Sequence, residues 1–254
     1  MTNEQPKPAI NINAEKIIFL HIAKTAGTSL VEFFRKILPA EQMMTHGDFV
    51  KFPRGHALPP QAIADYRFIS GHFGYSYIGK YIKDSYSFTF LRDPVDRVLS
   101  FYRFCMNIDM QRQYVVARAA RDLTLDQFMT STRPEIVEML DNMQTWQLAH
   151  MYWQEERKEL QHYSENEILT LAKNHLTEFS FVGFTEAFPE GFSRILDDLN
   201  IVPEKLNITN VRKTPWHYRT QDPITADQLK PATLAMLKSR MALDYALYDF
   251  AKTL

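Results

Sequence analysis

The chain has 254 residues, enough for one large α/β domain or two small ones with a buried core. Hydrophobic residues make up 45% and charged residues 23%, which excludes a disordered chain. A formal net charge of −1 excludes a molecule built to coat nucleic acid, so any anion site must come from a local arrangement of Lys, Arg and backbone N–H groups. The single cysteine, Cys105, excludes an internal disulfide and a zinc site of cysteine ligands, and its place in the run Phe101-Tyr102-Arg103-Phe104-Cys105 reads as packing. Residues 1–16 are polar and proline-containing, and no window reaches the ~18–20 apolar residues of a membrane span. The expectation is a cytoplasmic protein without an integral membrane segment, in which residues 1–16 form a flexible tail and residues 17–254 a single domain.

In chain order, Ile17-Ile18-Phe19-Leu20 is a short apolar run, the form of a strand buried on both faces of a parallel sheet. The loop His21 to Ser29 follows, then Leu30, Val31, Phe33, Phe34, Ile37 and Leu38 at helical spacing, closed by Pro39. Tyr66 to Ser70 predicts a second strand, ending in Gly71-His72, and Ser87 to Leu91 a third. Pro94 opens a helix that carries Val95, Val98, Leu99, Tyr102 and Cys105 on adjoining faces. From about residue 113 to 174 the periodicity is helical almost throughout. Phe179 to Phe184 predicts a fourth strand, Phe188 to Leu199 a helix, Leu206 to Pro223 a loop, and the residues from Thr225 two helices. The fold class is therefore α/β, a P-loop-like parallel sheet flanked by helices, with a helical insertion and a helical C-terminus. Ligands in such folds gather at the carboxyl ends of the strands, where the loops at Lys24, His72 and Arg92 are expected.

The first loop suits a phosphate. A strand turning sharply into a helix aims backbone N–H groups and the positive end of the helix dipole at one spot. Ala26, Gly27, Thr28 and Ser29 are small enough to let an anion approach the backbone, and Lys24 adds a mobile charge. It is not a Walker A loop, because the Lys precedes the glycine. The alternative is a helix start capped by Thr or Ser beside an exposed Lys. In the third loop, Arg92 leaves the strand, and Ser100, eight residues on, falls slightly more than two helical turns later on about the same face. A guanidinium and a hydroxyl converging there suit a second phosphate. Local pairing of Asp93 and Asp96 with Arg92 and Arg97 is the competing arrangement.

Lys24-Thr25-Ala26-Gly27-Thr28-Ser29 resembles the 5′-phosphosulfate loop of sulfotransferases that use 3′-phosphoadenosine 5′-phosphosulfate, and Arg92-Asp93-Pro94 with Ser100 and Tyr102 resembles their 3′-phosphate motif. Ser70-Gly71-His72 is similar to the His-bearing strand end of the uronosyl (heparan sulfate) 2-O-sulfotransferase branch. So are Asn210 to Thr214 and Asp244-Tyr245-Ala246-Leu247-Tyr248 to that branch's C-terminal part. Ala23 departs from the Pro that often precedes the Lys, and residues 1–16 lack the anchor of Golgi members.

The resemblance implies sulfuryl transfer to a hydroxyl of a carbohydrate or other acceptor, in line and dominated by positioning and charge neutralisation. Lys24 and the amides of residues 25–29 would hold the 5′-phosphate and offset charge on the leaving group. Arg92 and Ser100 would grip the 3′-phosphate, and His72 would take the acceptor proton, an imidazole of ordinary pKa ~6.5 being suited to neutral pH. Arg212 and Lys213 are candidates to close over the 3′-phosphate, and Trp216 to stack on adenine; a solvated basic loop is the alternative. His21 is expected to orient the first loop, and His46 and His56 to line the acceptor cleft or fill bland positions. No metal is required. The other classes are a P-loop nucleotide kinase or NTPase, and a binding module of the same fold without activity.

Overall fold

The computed structural model describes residues 14–51, 58–108, 115–202 and 224–254. Residues 1–13 of the expected tail, His56, and the loop bearing Arg212, Lys213 and Trp216 lie outside the described residues. The chain divides into two compact units. The first comprises residues 1–22, 26–90 and 178–215, and the second residues 23–25, 91–177 and 216–254.

The first unit holds a five-stranded sheet: β1 (Ile17–Leu20), β2 (Met43–Met44), β3 (Phe68–Gly71), β4 (Tyr86–Leu91, its last residue passing into the second unit) and β5 (Phe181–Phe184), in the order β2-β3-β1-β4-β5. β1 pairs in parallel with β3 and β4, and β2 with β3. Every β1 residue is fully buried, as a central strand requires, which is why this stretch is a continuous apolar run rather than an alternating one. Its neighbour β4 carries Ser87 and Thr89 into the interior, and each finds a partner: Thr89 Oγ1 donates to the Leu20 carbonyl at 2.9 Å, and Ser180 N donates to Ser87 Oγ at 3.3 Å. Helices Gly27–Ile37, Tyr75–Ile82 and Phe188–Asp198 accompany the sheet. Phe33, Phe34, Phe68, Phe88, Phe90 and Ile195 belong to one core with β1.

The strand order positions the site. From β1 the chain passes to one side of the sheet, toward β2 and β3, and from β4 to the other side, toward β5. Adjacent parallel strands whose connections diverge open a crevice at their carboxyl ends, the usual ligand position of doubly wound sheets.

Beyond the end of β4, the described elements of the second unit are helices. The longest, Pro94–Asn107, starts where expected, with Asp93 accepting from Asp96 N at 3.1 Å as N-cap and Pro94 in the first turn. It buries Val95, Val98, Leu99, Phe101, Tyr102 and Cys105 in a core shared with Phe128, Ile136, Leu237 and Met241. The region expected to be helical almost throughout holds only helices among its described elements, divided into short ones that include Val115–Asp122, Leu125–Met129, Pro134–Leu140, Met143–Ala149 and Glu165–Leu176. Each break has a local cause. Thr124 and Ser164 build capping boxes with Gln127 and Glu167, Pro134 stands at a helix start, and Asn142 takes a left-handed φ of 51°. The two C-terminal helices are Pro231–Arg240 and Ala242–Ala251. Among the described residues, no helix is long and apolar enough to cross a membrane.

Candidate active site

The loop after β1 is strained where the sequence gives no warning. Lys24 and Ala26 both have positive φ, 73° and 62°, although neither is Gly or Asn. Such backbone costs on the order of 1–3 kcal/mol per residue and persists where surrounding structure over-determines it, typically at ligand clamps. Ala26 is the N-cap of the following helix and supplies no side-chain cap, which removes the expectation of a Thr or Ser cap. Ser29 N donates back to the Ala26 carbonyl at 3.1 Å, while Thr25 is fully buried and Thr28 and Ser29 are half-buried.

Lys24 lines a cavity of ≈ 200 Å³ together with Ser100, Arg103, Phe104 and Asn107. The last four sit at helical spacings of three, four and seven, one face of Pro94–Asn107. The Lys24 ammonium lies 4.7 Å from the centre of the Phe104 ring, and Arg92 Nη1 donates to the Lys24 carbonyl at 3.3 Å. Lys24 and Ser100 thus share a cavity with Arg103, Phe104 and Asn107, and Arg92 reaches the backbone of Lys24. Burial above all, then the neighbouring charge of Arg92, lowers the Lys24 pKa to about 8, with a further contribution from Arg103. Cys105 does not offset this as an anion, because burial pushes its thiol up to about 12. The result is a small cavity where cations crowd one another, the electrostatic condition that an anionic ligand relieves.

Asp93 caps its helix, while Arg97 is fully buried and donates to the Met139 carbonyl at 2.6 Å and to Met143 Sδ at 3.2 Å. Tyr102 packs edge-on against Phe128 and donates to the Leu123 carbonyl at 3.4 Å, so its part in the motif is to fix the helix.

In the first unit, three histidine rings gather at the ends of β1 and β3. His72 is centred 4.3 Å from His21 and 4.5 Å from His46. His72 Nδ1 lies 2.6 Å from the His21 carbonyl. A carbonyl only accepts, so Nδ1 carries the proton and Nε2 of the neutral ring is the proton-accepting nitrogen. The His72 backbone N–H donates to His46 Nδ1 at 3.2 Å, which requires that nitrogen unprotonated. Burial lowers the His46 pKa and favours that neutral form. The His21 ring stacks on Phe19 at 5.0 Å, its backbone N–H donates to the Gly71 carbonyl at 3.1 Å, and a Cβ on Gly27 would fall 2.1 Å from its Cδ2 and Nε2. Gly27 is therefore demanded by the close approach of the ring. Among the described residues no group of three His, Cys, Asp or Glu side chains is arranged to hold a metal ion.

A family model described as the sulfotransferase family matches residues 9–251, across both units. No curated protein matches the chain. The extent of the family match, over a parallel sheet flanked by helices, identifies the chain as a member of the sulfotransferase family.

Proposed function

We propose that the protein transfers a sulfuryl group from 3′-phosphoadenosine 5′-phosphosulfate to a hydroxyl of a carbohydrate-like acceptor, with His72 as general base. The observation that carries the donor half is the cavity in which Lys24, Arg103 and Ser100 meet beside Arg92, with the Lys24 pKa lowered to about 8 by burial and like charge. A donor bearing two phosphate groups supplies the missing negative charge, and the bond between sulfur and the bridging oxygen is the one that breaks. Lys24 neutralises charge that grows on that oxygen in the transition state, and the backbone of residues 25–29 steadies the 5′-phosphate. Arg92 and Ser100 hold the 3′-phosphate, which distinguishes this donor from ATP.

For the acceptor half, the hydrogen bond from His72 Nδ1 to the His21 carbonyl favours Nε2 as the atom that receives the hydroxyl proton. A carbohydrate acceptor is supported by the likeness of Ser70-Gly71-His72 to the uronosyl 2-O-sulfotransferase branch. Thermal denaturation with adenosine 3′,5′-bisphosphate and, separately, with ATP–Mg²⁺ tests the donor. A larger rise in melting temperature with the bisphosphate is expected. A larger rise with ATP–Mg²⁺ would favour a nucleotide kinase or NTPase.

A further inference from the structure

Asp244, in the helix Ala242–Ala251, is fully buried and accepts from Gln144 N at 3.3 Å, Thr145 N at 2.8 Å and Thr145 Oγ1 at 2.8 Å. It thus puts a carboxylate at the start of the helix Met143–Ala149, where the orphan N–H groups and the helix dipole both favour it. The exchange is reciprocal. Asn142 Oδ1 accepts from Leu243 N at 3.0 Å and Asp244 N at 3.1 Å, so each helix start is capped by a side chain of the other. Gln144, 1% exposed, is fixed by this clasp.

Its side-chain amide then pairs with a single peptide position at the end of β4. Gln144 Oε1 accepts from Arg92 N at 3.1 Å, and Gln144 Nε2 donates to the Arg92 carbonyl at 2.9 Å. Only an amide side chain offers a donor and an acceptor at once in this fork. Glutamate would set a carboxylate oxygen against the Arg92 carbonyl, and methionine would leave both peptide groups without this partner. Arg92 stands where the chain leaves β4 before Pro94 opens a helix, so the direction of its side chain depends on how that peptide is held.

We propose that Gln144, clasped by Asp244, is a positioning residue for Arg92 and thereby sets the preference for a nucleotide carrying a 3′-phosphate. This rests on the reading that Arg92 grips that phosphate. A side chain held from both faces of its backbone keeps the guanidinium oriented before the ligand arrives, which limits the ordering that binding must impose.

Calorimetric affinities for adenosine 3′,5′-bisphosphate and for AMP, measured on wild type, Gln144→Met, Arg92→Ala and the double variant, test this. Gln144→Met is expected to weaken the bisphosphate about tenfold, the loss of roughly one hydrogen bond's net worth, and to leave AMP nearly unchanged. In the Arg92→Ala background the same substitution should cause no further loss. Gln144→Glu, which keeps the size and one acceptor, should reproduce the effect, and replaces Gln144→Met if that variant does not fold. Equal weakening of both nucleotides, full additivity with Arg92→Ala, or unfolding of both Gln144 variants would overturn the proposal. If Arg92→Ala itself leaves the preference intact, the donor reading fails and the role of Gln144 falls with it. If only the Gln144 variants leave it intact, the donor reading stands without the clamp.

Discussion

The histidine cluster of the first unit and the cavity of the second handle charge in opposite ways. His46 is held neutral by burial and by the amide that donates to its Nδ1, while His72 donates its Nδ1 proton to a backbone carbonyl, which makes Nε2 the proton-accepting nitrogen of its neutral form. Around Lys24 the protein instead concentrates cations, and burial first, then repulsion by Arg92 and Arg103, lowers the Lys24 pKa. A neutral imidazole suits removal of a proton, and a cluster of cations suits a polyanionic donor. We propose that proton removal is assigned to the first cluster and donor binding to the second, each assembled by the packing of its own unit.

If that division is right, substitutions should separate cleanly. The largest effect is expected at His72: His72→Ala should lower turnover by about 10²–10⁴-fold while donor affinity barely changes. The acid limb of the wild-type pH–rate profile should vanish with it. Donor binding lost in step with activity would break the comparison, because His72 would then serve the donor.

Arg92→Ala is the counterpart on the other side. It should cut the preference for adenosine 3′,5′-bisphosphate over AMP by about 10- to 150-fold, the worth of a charged hydrogen bond of roughly 1.5–3 kcal/mol. The acid limb should persist in this variant. Equal affinities of the wild type for the two nucleotides would contradict the assignment.

Gly27→Ala probes the packing beneath the loop. The added Cβ would meet His21, whose ring lies between Phe19 and His72, and overpacking of this kind costs about 1–3 kcal/mol. Thermal denaturation should record the loss, and an unchanged melting temperature would mean that the His21 ring is not held there.

The smallest effect is a fraction of a proton. At pH 8, near its lowered pKa, Lys24 is about half protonated. An anion favours the charged form and raises the pKa, so bisphosphate binding should take up as much as about half a proton at pH 8, where the phosphates themselves are already almost fully ionised. Calorimetry in buffers of different ionisation enthalpy measures this. Lys24→Arg should abolish the uptake, and uptake that survives in the variant would assign the titration elsewhere.

Much of this architecture was legible in the sequence because it follows from local rules. The β1 run, the Pro94 helix start and the burial of Cys105 need only hydrophobic patterning and capping chemistry. Met43–Met44 escaped because two residues carry no period, and the helix Tyr75–Ile82 because its apolar face is short. The left-handed Lys24 and Ala26 had no signal, since neither is a residue type that favours that backbone. Arg103, Phe104 and Asn107 were within reach, as they share a helix face with Ser100. His46 was named only as a candidate for the acceptor cleft, and its hydrogen bond from the His72 backbone was hidden because it spans 26 residues and depends on tertiary pairing. Gln144 was hidden for the same reason, its partner Arg92 lying 52 residues away.

The central claim is transfer of sulfate from a 3′-phosphorylated donor to a hydroxyl. Incubating the protein with 3′-phosphoadenosine 5′-[³⁵S]phosphosulfate and a panel of uronic acid, amino sugar, glycolipid and phenol acceptors measures it directly. The account predicts labelled sulfate ester formed in equal amount to adenosine 3′,5′-bisphosphate, strongest on a carbohydrate and suppressed by His72→Ala. Donor left intact with every acceptor, by a folded protein that instead consumes ATP, would contradict it.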